Sequence, residues 1–296
     1  MAALTPALLM IGDHAMSPDD LAILRRAYAR QVLAAAGVSD PALEAALATT
    51  ARERFLGPGP WQVLRAGGVY RVTPDADPLY LYTDDLVAID PARRLNNGQP
   101  SFLATLIHAA GVRPGDHVVH VGTGTGYYTA VMRRLAKPGG RVTGIEVDPE
   151  LAARTRANLA DDPGVTVLAG DGSEVDFAPA DVVFVNAGAV RPADRWLDGL
   201  SDGGRLVLPL TTGGGEGGTR GAVFLVTREG AGFAARHVSP TGIFPCASLR
   251  DPDGEARLAD AFARRGGMDV TRLHRRPPEP GDRVWLDGGD WCLTKG

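Results

Sequence analysis

The chain has 296 residues, enough to bury a substantial core as one large domain or two modest ones. Its 44% hydrophobic and 22% charged residues exclude a disordered or fibrous chain. A net charge of −4 supplies no basic field for nucleic acid, and two cysteines, Cys246 and Cys292, without a Cys-x-x-Cys motif cannot build a zinc cluster.

In chain order, the run Ala2–Ile11 is broken by Pro6 and lacks a basic flank. No segment reaches about eighteen consecutive apolar residues, so neither a secretion signal nor a membrane span is expected. Two thiols without a disulfide framework then point to the cytoplasm. Ser17 precedes Pro18-Asp19-Asp20 as a helix cap, with Leu21, Leu24, Ala27 and Tyr28 on one stripe. Val38-Ser39-Asp40-Pro41 interrupts the helical stretch 17–47, and Pro41–Thr49 resumes it. Arg52-Glu53-Arg54-Phe55 and the break Gly57-Pro58-Gly59-Pro60 follow. From Trp61 to Pro100 the pattern is irregular, with Asp75, Asp77, Pro78 and Asp84-Asp85 marking loops. That segment reads either as a lid over a nucleotide site or as a packed layer without chemistry. Ser101–Ala110 is helical again.

Val118–Asp148 then has the order strand, glycine turn, helix, turn, strand. Val118, Val119 and Val121 form the β-branched run of a buried parallel strand. Gly122, Gly124 and Gly126 allow a tight turn and close approach of a ligand to the backbone. Tyr127–Leu135 has helical spacing, Pro138-Gly139-Gly140 stops it, and Val142–Val147 is a second strand. Glu146, twenty residues after Gly126, falls near that strand's tip, where a nucleotide-binding βαβ unit places the carboxylate that receives a ribose diol. A dinucleotide fingerprint needs a third glycine where this chain has Tyr127, which disfavours a nicotinamide oxidoreductase. S-adenosylmethionine carries no phosphate and suits the strict two-residue glycine spacing.

Leu151–Leu159 is a further helix and Val165–Leu168 a third strand, with Gly170-Asp171-Gly172 just past its end. Asp171 there either accepts from an adenine amino group or caps a turn. Asp181–Val185 is a fourth strand with Asn186-Ala187-Gly188 at its tip, small enough to leave room for a sulfonium and its methyl group. Trp196–Leu200 reads as a short helix stopped by Asp202-Gly203-Gly204, and Arg205–Leu210 as a fifth strand. The tract Gly213–Gly218 lacks the Gly-Lys-Ser/Thr ending of a phosphate loop and reads as a hairpin connection. Ala222–Val226 and Phe233–Val238 form an antiparallel pair. Asp253–Arg265 is an amphipathic helix, Arg275–Pro280 a stiff spacer, and Trp285 and Trp291 flank a hairpin turn as a packed hairpin or a substrate wall.

These motifs resemble the protein-L-isoaspartate O-methyltransferases, a class I S-adenosylmethionine-dependent family, from about Pro41 to Arg250. The resemblance rests on Arg52-Glu53-Arg54-Phe55, Gln99-Pro100, VGTGTGYYTA at Val121–Ala130, Gly170-Asp171-Gly172, DVVFVNAGA at Asp181–Ala189, GGRLVLPL at Gly203–Leu210 and Phe244-Pro245. It implies an α/β, Rossmann-like class I methyltransferase fold with a mostly parallel central sheet and an antiparallel edge pair. The expected segments are a helical lid over 1–100, a cofactor-binding core over 101–250 and a small C-terminal extension over 251–296. It implies a cofactor set of His120, Gly122, Thr123, Gly124, Thr125, Gly126, Tyr127, Glu146, Val147, Asp171, Gly172 and Asn186. Two positions depart from the family. The family serine that contacts the substrate carboxylate falls on Gly98, and an acidic residue near the methionine end of the cofactor is replaced by His120.

The implied reaction is methyl transfer to an isoaspartyl carboxylate of a protein or peptide, a repair step. A carboxylate is ionised at pH 7, so no general base is required. Asn97, Gln99 or Ser101 are expected to orient it in place of the missing serine. Gly98 and the extension leave open a modified peptide or a small metabolite as acceptor, and a non-catalytic adenosine-binding module is the reading outside enzymology.

Overall fold

Proline preceded by a capping side chain starts four of the helices. In the computed structural model, which describes residues 16–64, 68–213, 221–246 and 248–296, α1 (Pro18–Ala36) opens on a reciprocal capping box between Ser17 and Asp20. Asp40 caps α2 (Pro41–Thr49), Asp148 caps α6 (Pro149–Asn158) and Asp251 caps α8 (Pro252–Ala263). The others are α3 (Glu53–Leu56), α4 (Pro100–Ala110), α5 (Tyr127–Leu135) and α7 (Asp194–Asp198). The run Ala2–Ile11 and all but the first residue of Gly213–Gly218 lie outside the described residues.

The segment expected to be irregular, Trp61–Pro100, instead folds into a four-stranded antiparallel sheet. Its strands are β1 (Gln62–Leu64), β2 (Tyr70–Val72), β3 (Leu86–Asp90) and β4 (Leu95–Asn96), in the order β2-β1-β3-β4. Strands of two to five residues are too short to show a periodicity. They are held by their own apolar cluster of Leu56, Trp61, Val63, Leu81 and Val87.

The main sheet comprises β5 (His117–Val121), β6 (Arg141–Glu146), β7 (Val165–Ala169), β8 (Ala180–Val185), β9 (Leu200–Thr211), β10 (Gly221–Glu229), β11 (Gly232–Pro240), β12 (Val270–His274), β13 (Val284–Asp287) and β14 (Cys292–Lys295). Its order is β13-β14-β12-β11-β10-β9-β8-β5-β6-β7. Strands β5 to β9 are mutually parallel, and the antiparallel β10 and β11 adjoin them as the sequence predicts. The C-terminal segment carries that pair further, adding β12, β14 and β13, so β11 is an interior strand. The Trp285/Trp291 hairpin is the edge of this sheet, with both indoles buried. Asp202-Gly203-Gly204 does not end an element as expected. It lies within β9, whose register against β8 jumps from Ala180↔Leu200 to Val182↔Arg205.

Alternate residues of β5 enter opposite cores because side chains of a strand alternate faces. Val119 and Val121 pack with Trp196, Leu206 and Leu208 on one side. Val118 packs with α1, α2, α4 and α5 on the other, through Tyr28, Leu47, Leu106 and Val131. The helical N-terminal layer is therefore part of the main core, and among the described residues no helix is long and apolar enough to cross a membrane.

Candidate active site

The carboxyl ends of β5, β6, β7, β8 and β11 border a cavity of about 560 Å³, the place where open α/β sheets bind ligands. One wall is the core, with Gly122, Gly124, Glu146, Val147, Asp171 and Asn186. A second is the lid, with Leu86, Ile89, Arg93 and Leu95, and a third is formed by residues 240–246 with Ser248.

At the turn after β5, Gly122 and Gly124 have φ of 80° and 58°, where a side chain is strained. A Cβ on Gly122 would come within 3.3 Å of the Asn186 carbonyl oxygen, and one on Gly124 within 3.5 Å of Ile89. Glu146 is buried at the tip of β6, its Oε2 accepting from the Gly124 amide at 2.7 Å and its Oε1 from the Asp148 amide at 3.2 Å. Burial pushes its carboxyl above the usual range against those two donors. Two such bonds leave carboxylate lone pairs open toward the cavity, the acceptor chemistry a vicinal diol needs. Val147 stands exposed beside it. Burial opposes ionisation of Asp171, but hydrogen bonds from the Ser173 amide and the Ser173 and Ser248 hydroxyls outweigh it and hold its carboxyl below the ordinary value. Gly172 and Asn186 complete this end of the cavity. Bare backbone at the turn, a buried carboxylate and apolar lid residues such as Leu86, Ile89 and Leu95 fit an uncharged adenosine carrying no phosphate.

The remaining expected cofactor residues do not line the cavity. Thr123 and Thr125 are buried behind the turn, the first within 3.3 Å of the Thr155 hydroxyl and the second accepting from Asn158 through its carbonyl. Gly126 caps α5. Tyr127 packs edge-on against Phe55 and Tyr128 in the core, so its bulk acts on the helix and not on a ligand. His120 faces the same core. It is fully buried, its Nδ1 lies 2.8 Å from the Thr129 hydroxyl and its ring stands edge-on to Phe184. Burial pushes its pKa down to about 3, so it is a neutral core residue and cannot stand in for an acidic cofactor anchor.

On the acceptor side, Gly98 lines the cavity with φ of 78°, where a serine would be strained, and a Cβ there would lie 2.8 Å from Leu103 Cδ2, so that the leucine would have to shift. Of the three expected substitutes, only Gln99 lines the cavity. Asn97 is buried, with Oδ1 accepting from Arg52 and from the Val87 amide. Ser101 donates to Asp84 at 2.6 Å, and its own amide donates to the other oxygen of that carboxylate. Asp84 also accepts from the Gln99 side-chain Nε2 at 3.1 Å, so it holds the start of α4 and fixes the Gln99 side chain. Sequence reasoning missed Asp84 and Arg93. The Asp90-Pro91 turn preceding Arg93 was a usable signal.

The family model for protein-L-isoaspartate (D-aspartate) O-methyltransferase matches residues 72–231. A protein-L-isoaspartate O-methyltransferase of Picosynechococcus is 32% identical over 200 residues, covering 66% of this chain and 80% of the relative. That of Methylorubrum populi is 31% identical over 217 residues, covering 72% and 90%. Among solved structures, a protein-L-isoaspartate O-methyltransferase superposes with a TM-score of 0.62 at 20% identity, covering 92% of this chain and 87% of that one. A Plasmodium falciparum structure in complex with S-adenosyl-L-homocysteine gives 0.58 at 16% identity, covering 75% and 97%. On the family match over residues 72–231 and relatives above 30% identity across most of the chain, it belongs to the protein-L-isoaspartate (D-aspartate) O-methyltransferase family of S-adenosylmethionine-dependent enzymes.

Proposed function

We propose that this chain methylates the free carboxylate of an isoaspartyl residue in a protein or peptide, as a repair step in the cytoplasm. The observation that carries the reading is the cavity itself: a neutral-donor acceptor side facing a nucleoside-type site, within a chain of this family. The cofactor supplies the electrophilic methyl group. The chain's own residues bind and align. Glu146 and Asp171 hold the nucleoside end, and the Gly124 amide fixes the Glu146 carboxylate in place. Gln99 has one amide N–H held by Asp84 and a second left to orient the acceptor carboxylate. Among the described residues no histidine lines the cavity, which suits an acceptor that arrives ionised. Free Cys246 and Cys292 support a reducing compartment.

The test is transfer from isotopically labelled S-adenosylmethionine to matched isoaspartyl and aspartyl peptides, scored as base-labile label. Label on the isoaspartyl peptide alone supports the proposal, and no label on either one rejects it. Gly98, without a serine hydroxyl, favours the second reading of a modified peptide or metabolite carboxylate, which the same assay addresses when those acceptors replace the peptides.

Two substitutions probe the cofactor side. Glu146→Ala should weaken S-adenosylhomocysteine binding by about 1.5–3 kcal/mol in calorimetry, the scale of hydrogen bonds to a charged group. An unchanged affinity would remove Glu146 from the site. Gly124→Val should weaken binding at least about tenfold, because a β-branched residue at positive φ costs some 1–2 kcal/mol and its methyl groups enter the cavity. Binding at the original strength would show the turn to lie away from the ligand.

A further inference from the structure

The β3–β4 hairpin ends in a turn whose geometry is over-determined. Asp90 Oδ1 accepts from the amides of Ala92 and Arg93, and Arg94 takes a φ of 56° to close the turn. This aims the Arg93 guanidinium across the cavity mouth. Its Nε meets Asp90 Oδ2 at 2.6 Å, and its Nη1 meets Asp148 Oδ2 at 2.5 Å. Asp90 belongs to the lid. Asp148 belongs to the core, where its Oδ1 caps α6 and its amide donates to Glu146. Hydrogen bonds from Arg93 are the main reason both carboxyls sit below their ordinary range, so both are charged at neutral pH. At its other end the lid is tied down by Arg52 through Asn97.

We propose that Arg93 is a positioning residue that latches the lid over the cofactor: it bridges Asp90 to Asp148, holds Ile89 against the glycine turn and steadies the Asp148 amide under Glu146. The proposal rests on the cavity being the cofactor site. An ion pair half open to solvent contributes modestly and is screened by salt, and that gives it a signature.

The experiment is release of labelled S-adenosylmethionine on rapid dilution from the full chain, comparing wild type, Arg93→Ala and Arg93→Lys at low and high salt. Arg93→Ala should release the cofactor about threefold to tenfold faster at low salt, on the scale of a small ion-pair network. Raising the salt should speed release from wild type and leave Arg93→Ala nearly unchanged, with Arg93→Lys between the two. A purely structural role would lower the melting temperature without abolishing the salt response. Equal release from wild type and Arg93→Ala, or an equal salt response in both, overturns the latch. Isoaspartyl methylation is scored separately in the same preparations, so failure of the acceptor assignment is distinguishable from failure of the latch.

Discussion

Arg52→Met is expected to lower the free energy of unfolding by about 3–5 kcal/mol, the range for uncovering buried polar partners. Arg52 is fully buried, and the partners of its guanidinium among the described residues are neutral oxygens. Its two terminal nitrogens donate to the carbonyls of Leu81, Thr83 and Asp85 and to Asn97 Oδ1. The guanidinium carbon lies 5.7 Å from the centroid of the Tyr28 ring, which adds a cation–π contact. Removing the guanidinium strands several acceptors at once, and each unmet buried acceptor costs about 1–3 kcal/mol. Methionine fills much of the space, so a cavity is not the cause. Denaturant unfolding of the variant measures the loss, and a change below about 1 kcal/mol would place the charge outside the fold's essential network. Because Arg52 ties the 81–85 segment to Asn97, the variant's residual activity should fall further than its folded fraction.

The second large effect is on the pH dependence of stability. A histidine whose folded pKa lies near 3 against an ordinary 6.5 binds its proton more readily in the unfolded chain. Stability therefore rises with pH across that window, is fully present above about pH 6.5 and is lost as pH falls. Between about pH 6.5 and pH 4 the loss from His120 is on the order of 3 kcal/mol. His117 and His237 are also lowered by burial and act in the same direction. Asparagine at position 120 can keep a hydrogen bond to Thr129 without titrating, so comparing His120→Asn with wild type isolates the effect. The variant should be markedly less sensitive to acid over this range. Parallel curves for the two proteins would show that His120 gains a proton while the protein stays folded.

The site residues read from the chain divide by how local their geometry is. Glu146, Gly122, Gly124, Asp171 and Asn186 follow directly from strand ends, since a strand that leaves the core must present its next residues at the sheet's carboxyl edge. His120, Thr123, Thr125 and Tyr127 are neighbours of those residues in sequence but point elsewhere. The two-residue alternation of β5 sends His120 into the helix-covered face, and the turn of α5 buries Tyr127 against Phe55. Proximity along the chain did not carry over to the cavity.

What the amino-acid sequence determined by itself is the βαβ unit, its caps and the family. These depend on glycine, proline and β-branched residues at short spacing, whose backbone preferences act within a few residues. Tertiary structure decided the rest. The lid sheet, with strands as short as Leu95–Asn96, exists only because its cluster around Trp61 and Val87 is covered. The C-terminal extension became three further strands because β11 offered an edge to pair with. Arg93 reaches Asp148, Asp84 holds Ser101 and Arg52 holds the Asp85 carbonyl, partners 55, 17 and 33 residues away in the chain, separations that local preference cannot encode. Packing of the whole chain brings those charges together.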